Sequence, residues 1–283
     1  MIVQGYREMK KFLPALSMKG EPALFDDALV SAQDDLVTFI IGTDLEERVE
    51  RREPEDSRLL TRCQRIISIQ AFLASVPEMD LVLTDAGFGV VSNQDVAPAS
   101  RERVQAMKAS LQERLDDEKD RLVEYLLASG KYADWRGTDE FARLSRGLIM
   151  TLRQFRDVAV MNSRTVQTRP ETWDDFIRLI PAMNVALLSD VASYVSVDYA
   201  EELLEKVRDL EPLLPNEKKA LRMIEAAVAA IAMEDRETGR EMAIRASAFM
   251  NAHPDDFPTF MDSSVARADL TLTHDDSPIF HMF

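Results

Sequence analysis

Apolar residues recur at helical spacing along most of this chain. Phe25, Leu29, Leu36 and Ile40 make a first stripe, which predicts a helix opened at Pro22 and stopped at Gly42. A polar, charged stretch over 43–56 separates it from Leu59, Leu60, Cys63, Ile66, Ile67, Ala71 and Ala74. That second stripe predicts a helix ended by Pro77, and Phe72, Leu73 and Val76 widen its apolar surface enough to place it centrally.

The period then changes. Leu81-Val82-Leu83-Thr84, Asp85-Ala86-Gly87 and Phe88-Gly89-Val90-Val91 read as a β-hairpin over 81–91, which needs a surface to lean on because a lone hairpin is marginal in water. After Pro98, Ser100 is placed to cap a long helix striped by Val104, Met107, Leu111, Leu115, Leu122 and Leu126 and ended at Ser129-Gly130. Its other face reads as charged and solvated, with Asp117 and Arg121 set for an i,i+4 pair. Thr138 can cap a further helix carrying Phe141, Leu144, Leu148, Leu152 and Phe155, which Gly147 can break. Residues 162–169 are polar and β-branched, and the main boundary is expected there.

The second half opens with Thr172 and Asp175, a capping-box pair ahead of Trp173, Phe176, Ile177 and Ile180, before Pro181 kinks or ends the helix. Stripes at Tyr199–Val207, Ala220–Ile231 and Met242–Met250 predict three more, with Pro212, Pro215, Gly239 and Pro254 falling between them. Phe39-Ile40-Ile41-Gly42-Thr43-Asp44 is echoed by Tyr194-Val195-Ser196-Val197-Asp198, each followed by a glutamate-rich helix and then a central one, so two related helical modules are one reading. From Asp269 the helical period vanishes. Leu270 and Leu272 alternate with threonines, and Ile279-Phe280-His281-Met282-Phe283 closes the chain. Side chains of this size gain about 1.5 to 3 kcal/mol each on burial, so this tail is expected to dock on its own body or on a neighbour.

These patterns give a mostly α protein of helical bundle modules, with one small β-hairpin and an extended C-terminal tail. The expected division is 1–165, 166–268 and a docking tail over 269–283. The expected contact residues are Leu81, Leu83, Phe88 and Val90 on the hairpin, and Leu270, Leu272, Ile279, Phe280, Met282 and Phe283 in the tail.

Composition narrows the partners. Fifty acidic residues against 34 basic ones give a formal net charge of -16, which opposes electrostatic binding of nucleic acid or anionic lipid. The densest basic stretch along the chain, Arg48, Arg51 and Arg52, is interleaved with Glu47, Glu50 and Glu53. The longest unbroken apolar run, 226–233, is too short to span a bilayer, so no membrane is expected. The single cysteine, Cys63, lies on a helix's apolar face and reads as a core residue.

Chemistry-bearing patterns are few. Gly87-Phe88-Gly89 has Ser92 where a dinucleotide loop needs its third glycine. His253, His274 and His281 have no i,i+4 metal spacing, and the acidic doublets read as caps or solvated faces. Neither an enzyme nor a cofactor is expected.

Gly87-Phe88-Gly89-Val90-Val91-Ser92-Asn93, followed by Ala97-Pro98-Ala99-Ser100 and Arg103-Val104, resembles a signature of an uncharacterised family encoded in prophages of Bacteroides-type bacteria. The closing Ser277-Pro278-Ile279-Phe280 is similar to that family as well. Those proteins sit among virion structural genes. The resemblance implies a capsid, head-tail connector or tail-completion component, assembled in the bacterial cytoplasm into a virion. Its implied partners are copies of itself in a homo-oligomeric ring and neighbouring portal or tail components. The other reading of the residues is an intracellular helical adaptor that binds a partner peptide.

Overall fold

A computed structural model describes residues 1–13, 25–79, 81–84, 87–90, 100–160 and 169–266. The described chain is mostly helical and divides into two compact units, Met1–Phe141 and Ala142–Phe283. The division falls ahead of the polar stretch at 162–169. The cause is α7 (Leu152–Val160), which buries Leu152, Phe155 and Val158 and stacks Phe155 edge-on against Phe176 of α8 (Trp173–Val185).

In the first unit, α4 (Ser57–Met79) is the axis. Leu59, Cys63, Ile66, Ile67, Ile69 and Ala71 are all fully buried on it. Two helices pack against it: α2 (Asp26–Leu36) and α5 (Arg101–Ala128). The amino-terminal residues thread this core, with the Ile2 amide donating to Gln33 Oε1 at 2.8 Å and the Ile2 carbonyl accepting from Gln64 and Arg52. α1 (Tyr6–Met9) follows, and Tyr6 stacks on Phe25.

Gly42 stops its helix as expected, but the stop leads straight into another helix. A π-turn over Val37–Ile41 leads to Gly42 at φ 73°, ψ 171°, a conformation glycine adopts freely, and the chain re-enters helix as α3 (Gly42–Glu50). Much of the stretch read as polar connection is therefore helix, anchored by Leu45 and Val49. Trp135, in a 3-10 segment over Gly130–Gly137, donates its indole N–H to the Ile40 carbonyl of the π-turn at 2.7 Å. Pro77 sits in the last turn of α4, which runs on only to Met79. Beyond it, β1 (Leu81–Thr84) and β2 (Gly87–Val90) pair antiparallel, while residues 85–86 lie outside the described residues. What is described is the pairing, not a closed hairpin.

Ser100 caps α5 as its position predicts, accepting from the Arg103 amide at 3.4 Å. The charged face of α5 is solvated only in part: Asp117 and Arg121, each about half exposed, make the expected i,i+4 pair at 3.7 Å, whereas Asp116, Glu118, Lys119 and Asp120 are buried. Glu118 is covered because arginines reach it from α4. α6 (Asp139–Leu144) is capped by Thr138, and at Gly147–Leu148 the chain breaks, with Leu148 at φ 68°.

The second unit repeats this order. Thr172 and Asp175 form the capping box of α8, which runs through Pro181 into a second π-turn over Ala186–Val191. Then come α9 (Ala192–Val195), a residue at φ 69°, ψ 152°, Ser196, and α10 (Val197–Asp209). α10 ends at left-handed Leu210 as α3 is followed by Arg52 at φ 55°. Central α11 (Pro215–Ala232) has Pro215 in its first turn, and Ala226, Ala227, Val228, Ala229 and Ala230 are buried. Gly239 lies within α12 (Arg236–Asn251) and not between helices, because a Cβ there would meet Ile231 Cγ1 at 2.3 Å and the Ala227 carbonyl oxygen at 3.0 Å. A 3-10 turn over Pro254–Asp256 and α13 (Pro258–Met261) bring Phe257 and Phe260 onto Tyr199. The run 173–195 is long and apolar enough to cross a membrane by composition, and within its unit it buries Trp173, Phe176, Met183, Leu187 and Val191.

Candidate interaction surfaces

The register of β1 and β2 sets Leu81 opposite Val90 and Leu83 opposite Phe88. The expected tail contacts, Leu270, Leu272, Ile279, Phe280, Met282 and Phe283, lie outside the described residues. The described chain ends at Ala266, next to a cleft of about 730 Å³ lined by Tyr194, Ile244, Ala248 and Val265 among others.

After the strands in the chain, α5 begins without a core among the described residues. No residue of α5 ahead of Leu115 is buried, although Val104, Met107 and Leu111 continue the apolar stripe. Met107 is 39% exposed. At 1.5 Å per residue the unburied portion is about 20 Å long.

A second surface escaped sequence reasoning. α4 and α5 run antiparallel, since Arg65 meets Glu118 while Arg58 meets Tyr125. Arg58, Arg62 and Arg65, at i, i+4 and i+7, therefore share one face of α4 and look onto Arg121 of α5. Glu118, itself buried, serves Arg65 at 2.7 Å, Arg121 at 3.3 Å and Arg62 at 3.9 Å. Arg58 and Arg62 lie over the Tyr125 ring, 4.9 and 5.3 Å from its centroid. Arg58, Arg62, Arg121, Glu124 and Tyr125 line a cleft of about 570 Å³. The spacing was the available signal, hidden because the same stretch was read for its apolar stripe.

Two other charged groups are internal fittings. Asp56, 1% exposed, receives Lys131 at 2.8 Å, Arg48 Nε at 2.9 Å and the Tyr132 hydroxyl at 2.9 Å. Burial alone would raise its pKa, but these donors outweigh it and hold the carboxyl down at about 2. Glu225 in α11 is pushed up to about 7 by burial, against smaller opposing contributions from Gln154 and Arg222. Cys63 is fully buried, and that burial pushes its thiol up to about 12. Among the described residues no group of three or more His, Cys, Asp or Glu side chains is placed to hold a metal ion.

Residues 13–143 match the model of a family of unknown function, DUF6712. The match spans most of the first unit, so it takes in the strand pair, α5 and the arginine face. No curated protein and no solved structure matches the chain.

Proposed function

We propose that this chain is a structural assembly protein of a phage particle, a head-tail connector or tail-completion subunit. It acts through protein–protein contacts in a ring of its own copies, against portal or tail components, in a virion assembled in the bacterial cytoplasm. The observation that carries the reading is the unburied start of α5. Val104, Met107 and Leu111 keep an apolar stripe about 10 Å long where the described residues supply no core to receive it, and the strands that precede α5 in the chain read Leu-Val-Leu-Thr and Gly-Phe-Gly-Val. An apolar stripe of this length marks an interaction site on an otherwise strongly charged surface. The resemblance to proteins of virion structural gene clusters supports the same class.

Electron microscopy and mass measurement of the purified chain, alone and with portal and tail proteins, test this. A closed ring, lost in the Leu83→Asp/Met107→Asp variant while its helical content is kept, is the expected result. A monomer whose strands and α5 face solvent in every complex would defeat it.

A further inference from the structure

We propose that the arginine face of α4 and α5 is the seat for the acidic ridge of α2 on a second copy of this chain. The inference rests on the assembly reading and names one contact that builds the ring.

The face carries more positive charge than its own unit neutralises. Glu118 is divided among Arg62, Arg65 and Arg121, the last also pairing with Asp117 at 3.7 Å, and exposed Arg58 lies over the Tyr125 ring with no carboxylate partner among the described residues. Arg62 Nε and Arg65 Nε are buried within the unit, so the edge open to a second copy is that of Arg58. A guanidinium over an aromatic ring keeps its N–H edge free, and that edge matches a carboxylate.

A related framework does without these arginines. The buried series Leu59, Cys63, Ile66 and Ile67 of α4 recurs with the same spacing as Ala220, Ile224, Ala227 and Val228 of α11, another central helix with a long helix packed on it. In that register Lys219, Met223 and Ala226 stand where Arg58, Arg62 and Arg65 do. One framework is built without the charge cluster, so the cluster in the other serves something besides packing.

The complementary surface is on the same chain. Asp27, Val30 and Asp34 lie on one exposed face of α2, and Asp27 and Asp34 have no cationic partner among the described residues. Val30 is 46% exposed between them. Asp27 to Asp34 and Arg58 to Arg65 each span seven residues, so both charged edges are about 10 Å long. In a chain of net charge -16, the arginine face is where a second copy's acidic field is attracted and not repelled. Ridge and seat are different surfaces, so the contact is head-to-tail and closes into a ring when the rotation permits.

The test uses the full chain in two charge-reversed forms, Arg58→Glu/Arg62→Glu and Asp27→Arg/Asp34→Arg, followed by sedimentation velocity at about 50 mM and about 500 mM NaCl. Wild type is expected to self-associate at the lower salt and much less at the higher. Each variant alone should associate at least tenfold more weakly, and an equimolar mixture should recover assembly, because every seat then meets a ridge of opposite sign. The ridge variant and single Arg58→Glu leave Glu118 untouched, so they keep the test valid if the double seat variant fails to fold. Variants that associate like wild type, or a mixture that stays dissociated, overturn the proposal while leaving an assembly built on the strands and α5 intact. A wild-type monomer at both salts overturns it too, and electron microscopy with portal and tail proteins then judges the assembly reading separately. Binding of a labelled single-stranded DNA of about 20 nucleotides, lost in Arg58→Glu, would assign the face to nucleic acid instead.

Discussion

Glu225 is an acid buried where water cannot solvate its charge, and replacing it by glutamine should make the second unit more stable at alkaline pH. The carboxyl is 5% exposed on α11, and its Oε1 accepts from Gln154 Nε2 at 2.6 Å. Gln154 cannot turn round to offer its oxygen, because that oxygen already takes the Met150 amide at 3.0 Å. Glu225→Gln keeps an oxygen for the Gln154 donor and puts an amide nitrogen where the protonated acid has its hydroxyl.

The sign follows from proton linkage. Burial lifts the folded pKa of Glu225 to about 7 from its ordinary value of 4.5, so between these values the folded chain holds a proton that the unfolded chain has released. Stability should fall as pH rises through that window and level off above about 7. At about 1.36 kcal/mol per pKa unit, the displacement amounts to about 3 kcal/mol at most. Urea unfolding of wild type and Glu225→Gln should therefore show a difference near zero at pH about 4.5 that grows to about 3 kcal/mol in favour of glutamine at pH about 8. Taking the difference removes the contribution of the other acidic groups. A gap that does not change with pH, or a glutamine variant less stable at pH 8, would refute the reasoning.

Asp56→Ala should cost about 3 kcal/mol by chemical denaturation, because Lys131, Arg48 and the Tyr132 hydroxyl all lose their common acceptor. With its folded pKa held at about 2 against an ordinary value of 3.8, Asp56 contributes fully above the higher value and loses that contribution as pH falls towards the lower one, which acid titration of the two proteins compares. Cys63 should resist a thiol reagent in the native state and react only at the rate of unfolding, and prompt labelling would contradict its burial. Ser196→Gly should raise stability by about 1 kcal/mol, since relief of a φ of 69° outweighs the few tenths lost from the cap to the Tyr199 amide. Gly42→Ala should lower it by about 1 to 2 kcal/mol, as read from thermal melts.

The helices were legible wherever burial imposed a stripe. Leu59, Cys63, Ile66 and Ile67 announce α4, and Ser100 and Thr172 announce the starts of α5 and α8, because a capping side chain leaves its type and spacing in the sequence. Gly42 signalled the stop and not the restart, because left-handed backbone both ends helices and redirects them. Only the π-turn before it and the anchors Leu45 and Val49 after it show which happens here. The buried charges on α5 were out of reach for another reason: a glutamate's burial depends on who covers it, and the cover for Glu118 comes from a helix more than fifty residues earlier in the chain. The arginine face was half written, as i, i+4 and i+7 on α4, but Arg121 and Tyr125 join it only through the antiparallel packing of α5.

The two units make a comparison that neither makes alone. Each runs helix, π-turn, a residue with φ near 70° and extended ψ, a second helix, and then a central helix with a long partner. Two copies of so uncommon a sequence of turns are better explained by one framework used twice than by chance. The shared framework then separates what the fold requires from what it carries. Small residues at Ala226–Ala230 and Gly239 let α11 and α12 approach closely, whereas α4 and α5 meet across Arg62, Arg65 and Glu118. Close apolar packing holds one pair together, and a charged seam around buried Glu118 holds the other. Since only the first unit has that seam, a chain offers one seat and one α2 ridge, and a contact with one of each per subunit is polar by construction, adding copies in a single direction until rotation closes the set.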